Sequence, residues 1–283
     1  MGAVRTTAED WKAKADSYQQ MTGDLNVKPI GVMLEGLNTR VPFSQTTGIL
    51  DNGCGPGPIM ARIIDEFGSS IPQSATLICS DFSSGMVDQA NNTKKAAVEQ
   101  NADSLWNNVK TEVLDAMDLN SIKDDSLSHV AAGWVFFNVK DPQKALAECK
   151  RVLQPGGVLS ASSWAETDWL KILKAISKLN PALSPPAIGD DWGKTENVRA
   201  QFEKAEFRDV EVVEVPVDIP FKSYESFVDV MLTRVTQMVA ASRGLPEEAK
   251  SKLKGLMIDE MKELCPTEPG VLKGVSLVAL GTK

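Results

Sequence analysis

The chain is expected to fold as an open α/β sheet, mostly parallel, with helices on both faces, and three features lead there. A short apolar run closes on a glycine-rich turn that opens a helical pattern at residues 47–67. A second apolar run ends in an acid about two dozen residues past that turn, and further apolar runs alternate with helical spacings along the rest of the 283 residues.

The founding stretch, Thr47 to Phe67, reads TGILDNGCGPGPIMARIIDEF. Ile49 and Leu50 end a strand, Asp51 follows, and the turn carries glycines at alternate positions, Gly53, Gly55 and Gly57. Glycine lets a backbone take positive φ and lets a ligand come close. Pro58 suits a first helical position, where its missing N–H would have no partner, and Ile59, Met60, Ile63, Ile64 and Phe67 recur at helical spacing until Gly68. A dinucleotide fingerprint spaces its glycines as GxGxxG; the spacing here is GxGxG, which moves the reading away from NAD. A tight strand-to-helix turn with no ligand is the bland alternative.

Composition narrows the partners. A formal charge of -8 without a Lys/Arg cluster argues against nucleic acid as the main partner and leaves a small molecule easier to accommodate. Cys54, Cys79, Cys149 and Cys265 form no CxxC pair and the chain has a single histidine, so neither a metal site nor a disulfide framework is indicated. No apolar run is long enough to span a bilayer and the N-terminus lacks signal-peptide character, so a cytosolic protein without a membrane partner is expected. Met1-Gly2 with Thr6 fits a myristoylation pattern formally and is read as coincidence. The oligomeric state is not legible.

In chain order, residues 8–45 carry Trp11, Tyr18, Met21, Ile30, Val32, Met33 and Leu34 in a helical pattern broken near Gly23 and Pro29. Ala75 to Ser80 reads as a second strand ending in Asp81, where a carboxylate beside the glycine turn can accept hydrogen bonds from ribose hydroxyls. Val109 to Leu114 is a third strand, followed by Asp115-Ala116-Met117-Asp118-Leu119. Ser128 to Val135 is a central fourth strand whose small residues near its end, Gly133 among them, let a ligand lie close. Trp134, Phe136, Phe137 and Asn138 stand at its carboxyl edge, beyond which ligands of open α/β sheets bind. His129 lies near the opposite end and is assigned no catalytic role.

Asp141 and Pro142 start a helix with Ala145, Leu146, Cys149, Val152 and Leu153 on its buried face, and Pro155-Gly156-Gly157 end it. Val158 to Trp164 is a fifth strand, with Glu166, Asp168 and Trp169 just past it. Proline-rich residues 180–195 read as a loop or lid, 198–207 as a helix, and 210–219 as a strand in which Pro216 marks a bulge or an edge. Helical patterns over 224–241 and 246–264 precede a last strand at 275–280.

The run ILDNGCG, the segment SDFSSGMV from Ser80 to Val87, and AECKRVLQPGG from Ala147 to Gly157 together resemble motifs of the class I S-adenosylmethionine (SAM) dependent methyltransferases. More narrowly they resemble fungal secondary-metabolism methyltransferases, including those that methylate thiols of dithiol metabolites. The resemblance spans roughly 45–165 and, more loosely, the C-terminal strand pair. It implies a Rossmann-like fold with a central, mostly parallel seven-stranded sheet, divided into an N-terminal helical lid (1–45) and a SAM-binding core (46–165). A linker with helix and strand (166–222), a helical cap (223–265) and a final strand (266–283) complete it.

The resemblance assigns SAM, leaving as S-adenosylhomocysteine, to Asp51, Gly53, Cys54 and Gly55, with Asp81 on the ribose. Phe82 and Met86 then flank the adenine, Asp115 and the amide of Ala116 meet its edge, and Gly133 lies by the methionine portion. Trp11, Tyr18, Trp134, Phe136, Phe137, Trp164 and Trp169 would line an acceptor pocket, and Tyr18, Glu166 or Asp168 would take a proton if one must move. Each of these aromatics reads equally as core. Transfer from a sulfonium to an S-, O- or N-nucleophile of a small metabolite can rest on alignment in a water-poor site, so a protein base is optional. Two alternatives stay open: the same fold in a regulatory, partner-binding or non-methyl-transfer role, and a nicotinamide enzyme.

Overall fold

The computed structural model describes residues 6–13 and 15–283, except the side chains of residues 15–25. Seven strands form one sheet in the order β3-β2-β1-β4-β5-β7-β6. They are β1 (Gly48–Asn52), β2 (Thr76–Asp81), β3 (Val109–Val113), β4 (Leu127–Gly133), β5 (Leu153–Trp164), β6 (Arg208–Phe221) and β7 (Gly270–Thr282). Pairing is parallel except along β7, which runs antiparallel to both β5 and β6. Strand order reverses between β1 and β4, which opens a crevice at their carboxyl ends.

The described helices are α1 (Ala8–Lys12), α2 (Ala15–Arg40), α3 (Pro58–Phe67), α4 (Ser84–Gln100), α5 (Pro142–Val152), α6 (Asp168–Leu173), α7 (Ala175–Leu179), α8 (Asp190–Gly193), α9 (Thr195–Lys204), α10 (Tyr224–Arg234), α11 (Thr236–Ala241) and α12 (Glu247–Leu264). Every residue of β1 is buried because both faces are covered, which is why it reads as a continuous apolar run and not as an alternation. Ile49 belongs to one core with Met60 and Ile63 of α3 and Met33, Leu34 and Leu37 of α2; Leu50 belongs to the core on the opposite face with Leu146 and Cys149 of α5 and Phe202 of α9. A third core joins α6, α7, α10 and α12 through Ile172, Met231, Met257 and Met261, over Val217 and Ile219 of β6. The last three helices are thus a cap inserted between β6 and β7.

Several expectations need correction. The break near Gly23 and Pro29 does not occur, since α2 runs through both. A proline inside a helix is worth about 3 kcal/mol of destabilisation, and the burial of Ile30, Met33, Leu34 and Leu37 on the sheet outweighs it. The helical pattern over 224–241 is interrupted at Val235, whose ψ of 108° is extended. β6 and β7 are longer than their patterns suggest because they pair with each other from Arg208↔Thr282 to Phe221↔Gly270. Pro216 marks the sheet edge; the register shift falls instead between Arg208 and Glu211. Nor is 180–195 wholly irregular: Trp192 of α8 is 4% exposed, and its carbonyl accepts from Ser163 Oγ at 2.7 Å.

Candidate cofactor and acceptor site

The glycine turn is held against β2 by its own backbone. Cys54 N donates to Ser80 O at 2.8 Å and Gly55 N to Asp81 Oδ2 at 3.0 Å, while Asp81 Oδ1 accepts from Ser83 N at 2.9 Å. Gly53, Gly55 and Gly57 sit at φ of 70°, 54° and 86°, and a Cβ on Gly53 would lie 2.4 Å from Val135 Cγ2, so residue 53 has neither the backbone nor the room for a side chain. Asp51 is fully buried; its Oδ2 accepts from Met60 N in the first turn of α3 at 3.2 Å, and its Oδ1 has no partner among the described residues. Burial pushes its pKa up to about 7, against the Met60 bond and with help from the charge of Asp81. Burial also raises Asp81, opposed by the amides of Ser83 and Gly55.

Strand β3 leaves the sheet beside this carboxylate. Leu114 N donates to Asp81 O at 3.1 Å, which sets the following Asp115, exposed and accepting from Met117 N at 2.8 Å, at the same sheet edge. Phe82, next to Asp81, is 42% exposed, whereas Met86 and Ala116 are buried. Helix α1 lies over the start of α4: Ser83 Oγ donates to Ala8 O at 3.1 Å, and a Cβ on Gly85 would lie 2.7 Å from Lys12 Cγ. Asp10 of the same helix pairs with Arg243 of the cap, and half-buried Trp11 donates from Nε1 to Thr6 Oγ1 at 2.8 Å.

On the other side of the turn, a Cβ on Gly133 would lie 2.7 Å from Ile59 Cδ1 of α3. Trp134 follows at φ 58°, its amide donating to Ser162 O and Oγ, each at 3.1 Å. Its ring stacks near-parallel on Trp164 with centroids 5.6 Å apart, and Trp169 meets Trp164 edge-on at 5.9 Å. Half-buried Phe137 packs alongside.

Three expected site residues are used otherwise. Phe136 is fully buried against Trp192 at 5.4 Å in the α5-side core, so it is not offered to a ligand. Glu166 extends into solvent, 69% exposed, with Lys174 at 3.9 Å. Asp168 opens α6 with both oxygens engaged, Oδ2 by Lys273 N at 2.7 Å and Oδ1 by Lys171 Nζ at 3.3 Å, so it anchors β7 and is not free to take a proton. Tyr18 lies on α2, but its side chain falls outside the described residues. His129 is fully buried, its ring nitrogens 2.8 Å from Ser128 Oγ and 2.8 Å from Val41 O, and burial lowers its pKa to about 4. It stays neutral in the middle of the sheet.

Sequence reasoning did not single out Ser162 or Thr236. Nothing in VLSASSW marks one hydroxyl over its neighbours, and Thr236, whose Oγ1 is buried without a partner among the described residues, hides inside what reads as one continuous helix. Among the described residues no group of His, Cys, Asp and Glu could hold a metal ion, and no helix is long and apolar enough to cross a membrane.

The turn suits an adenosyl cofactor: three positive-φ glycines leave a side-chain-free cradle, and each oxygen of Asp81 retains acceptor capacity beyond its one backbone bond. With the reversal of strand order beside it and the antiparallel β7, this defines a Rossmann-like protein of the SAM-dependent methyltransferase class. A sequence profile described as a methyltransferase domain matches residues 50–161. Methyltransferase ucsB of an Acremonium species is 42% identical over 98% of this chain and 96% of its own length. Acetylaranotin bis-thiomethyltransferase of Aspergillus terreus is 27% identical over 59% of this chain and 56% of its own length. The fold is that of phosphoethanolamine N-methyltransferase 2 of Haemonchus contortus in complex with SAM, at a TM-score of 0.54 and 16% identity; the match covers 96% of this chain and spans 57% of that one. The chain belongs to the SAM-dependent methyltransferase family, and SAM is its cofactor. These relatives carry methyltransferase names, which disfavours the non-catalytic alternative.

Proposed function

We propose that the protein methylates a small organic metabolite of the secondary-metabolic kind, at a sulfur, oxygen or nitrogen atom acidic or basic enough to react without a protein base. The observation carrying this reading is the meeting of the glycine turn, Asp81 and the Trp134–Trp164 pair at one sheet edge, with Asp168 bonded to Lys273 N and Glu166 turned to solvent. When bound, SAM supplies a methyl group on a positively charged sulfur. Asp81 would accept from the ribose hydroxyls, the exposed ring of Phe82 would cover the adenine, and Asp115 would meet its amine. Trp134, Trp164, Trp169 and Phe137 would exclude water and align the acceptor, and alignment with desolvation supplies the rate.

Asp168 is bonded, Glu166 is in solvent and His129 is sealed in the sheet, which favours acceptors that ionise readily: a thiol, whose ordinary pKa is about 8.5, or an acidic phenol or enol. Tyr18 remains a proposed pocket residue on α2. The bis-thiomethyltransferase name of one relative supports the sulfur option.

The test is a labelled-methyl assay over extracts containing thiols, phenols and amines, with mass spectrometry of the product. One methylated small molecule is expected. Asp81→Ala should abolish it while weakening S-adenosylhomocysteine binding about 10- to 100-fold in calorimetry, the range for losing a charged hydrogen-bond partner. Cofactor binding that ignores this substitution, or no product from any acceptor class, would overturn the reading.

A further inference from the structure

The backbone of Trp134 is held in an unusual shape by a serine that the proposed cofactor contacts do not use. Trp134 is the first residue past β4, and its φ of 58° is an outlier for so bulky a side chain. Such a backbone persists only where its surroundings impose it. The Trp134 amide donates to Ser162 O at 3.1 Å, which continues the β4–β5 ladder by one regular bond, and also to Ser162 Oγ at 3.1 Å. The hydroxyl is the addition to the ladder. At the other end of the residue, Asn138 Nδ2 donates to Trp134 O at 2.9 Å.

Ser162 is a firm anchor. Its backbone pairs with Gly133 of β4 on one side and with Val278 of β7 on the other, so it cannot shift without the sheet. Side chains of a strand alternate between faces, which puts Ser162 and Trp164 on the same face of β5. That is the face of Gly133 and α3: a Cβ on Gly133 would lie 3.9 Å from Ser162 Oγ and 2.7 Å from Ile59 Cδ1. Trp134 is thus held twice by one strand, its amide by Ser162 and its ring by Trp164, on which it stacks with 25° between planes. Ser160, two residues earlier on that face, offers a contrast: it is fully buried, and its hydroxyl has no partner among the described residues.

We infer that Ser162 is a positioning residue for the methyl acceptor: its hydroxyl keeps Trp134 in the left-handed backbone and so lays the indole against Trp164 as one fixed wall of the acceptor pocket. The inference rests on the methyl-transfer reading of the same site and adds to it a residue that acts through Trp134. Such a wall meets the acceptor alike before and during transfer, so loosening it raises KM and leaves kcat nearly unchanged.

The experiment compares Ser162→Ala with Ser160→Ala, each alone and in a Trp134→Gly background. Ser162→Ala keeps the main-chain bond to the Trp134 amide, so the ladder stays closed. With labelled SAM and a dilution series of the thiol, phenol and amine extract, Ser162→Ala is expected to raise the apparent KM for the acceptor about tenfold, the worth of one hydrogen bond. Circular dichroism should lose the exciton band of the stacked indoles, identified by its absence in Trp134→Phe. Calorimetry should find the affinity for S-adenosylhomocysteine unchanged, and Ser160→Ala should alter none of these readouts. Glycine takes φ 58° without help, so in Trp134→Gly the Ser162→Ala change should have no further effect on KM.

If Ser162→Ala alone fails to fold, the double variant with Trp134→Gly is expected to fold, because nothing is left to hold in place; a double variant that also fails overturns the inference. It is equally overturned by a wild-type KM and exciton band in Ser162→Ala, by the same losses in Ser160→Ala, or by an undiminished effect in the Trp134→Gly background. Each of these leaves methyl transfer standing. No labelled product from wild-type protein, or no binding of S-adenosylhomocysteine, would instead overturn the reading of the site, and this inference with it.

Discussion

Asp51 is a carboxylate with one oxygen bonded to the amide of Met60 and the other sealed without a partner among the described residues. Burial raises its pKa from 3.8 to about 7, so the folded state holds a proton that the unfolded state releases at lower pH. The stabilising contribution is therefore complete below about pH 4 and is lost as pH rises through about 7. Asp51→Asn removes this dependence. In urea denaturation the variant is expected to exceed wild-type stability at pH 8 by an amount on the order of a few kcal/mol, the gap closing toward pH 4. A gap that does not vary with pH would count against an ionisable Asp51. His129 shows the same desolvation acting with opposite sign on a base: it is kept neutral, with its two ring nitrogens satisfied locally.

At the scale of elements, the strand–turn–helix unit was legible because its signals are local. Glycines at alternate positions, Pro58 at the helix start and apolar residues at helical spacing each act within a few residues, and β1, the turn and α3 lie where they point. Two glycine substitutions separate conformation from space. Gly53→Ala would meet both a φ of 70° and Val135 Cγ2 at 2.4 Å, whereas Gly156→Ala meets a φ of 80° and nothing within 4 Å. The second should cost about 1–2 kcal/mol, the left-handed penalty alone, and leave cofactor binding intact. The first should cost more and abolish S-adenosylhomocysteine binding. Equal losses in thermal melts of the two variants would refute the steric account.

Helix α2 and the β6–β7 pair were less legible for the complementary reason. Their extents depend on partners distant in sequence, the sheet face under Met33 and Leu37 and the long antiparallel ladder. Phe136 misled in the same way: its place in the chain pointed to the sheet edge, and only the position of Trp192 shows that it faces the core.

Over the whole molecule, helix α1 meets the helical insertion between β6 and β7. Asp10 of α1 pairs with Arg243, and Ser83 Oγ holds the start of α1 to the segment after Asp81. Arg243 is 65% exposed, so the pair is worth no more than about 1 kcal/mol and is screened by salt. Arg243→Gln is expected to speed hydrogen exchange in residues 8–12 and to weaken S-adenosylhomocysteine by about fivefold at most, with no change in the central strands. Raising the salt concentration should shrink the difference. Unchanged exchange in α1 would mean that the ion pair does not hold it down.

Sequence by itself determined the alternation of strands and helices, the glycine turn, the acid at the end of β2 and the place of His129 near the start of β4, because each is encoded in neighbouring residues or in the direction of a single strand. Tertiary structure decided which side chains are free to act. Asp168, Glu166 and Phe136 carry suitable chemistry in sequence, but β7, solvent and Trp192 claim them, while Trp134 Nε1 and Thr236 Oγ1 are buried and unpaired among the described residues. The physical reason is that a residue's type sets what it can bond to, and only packing across distant segments determines whether those bonds are already made.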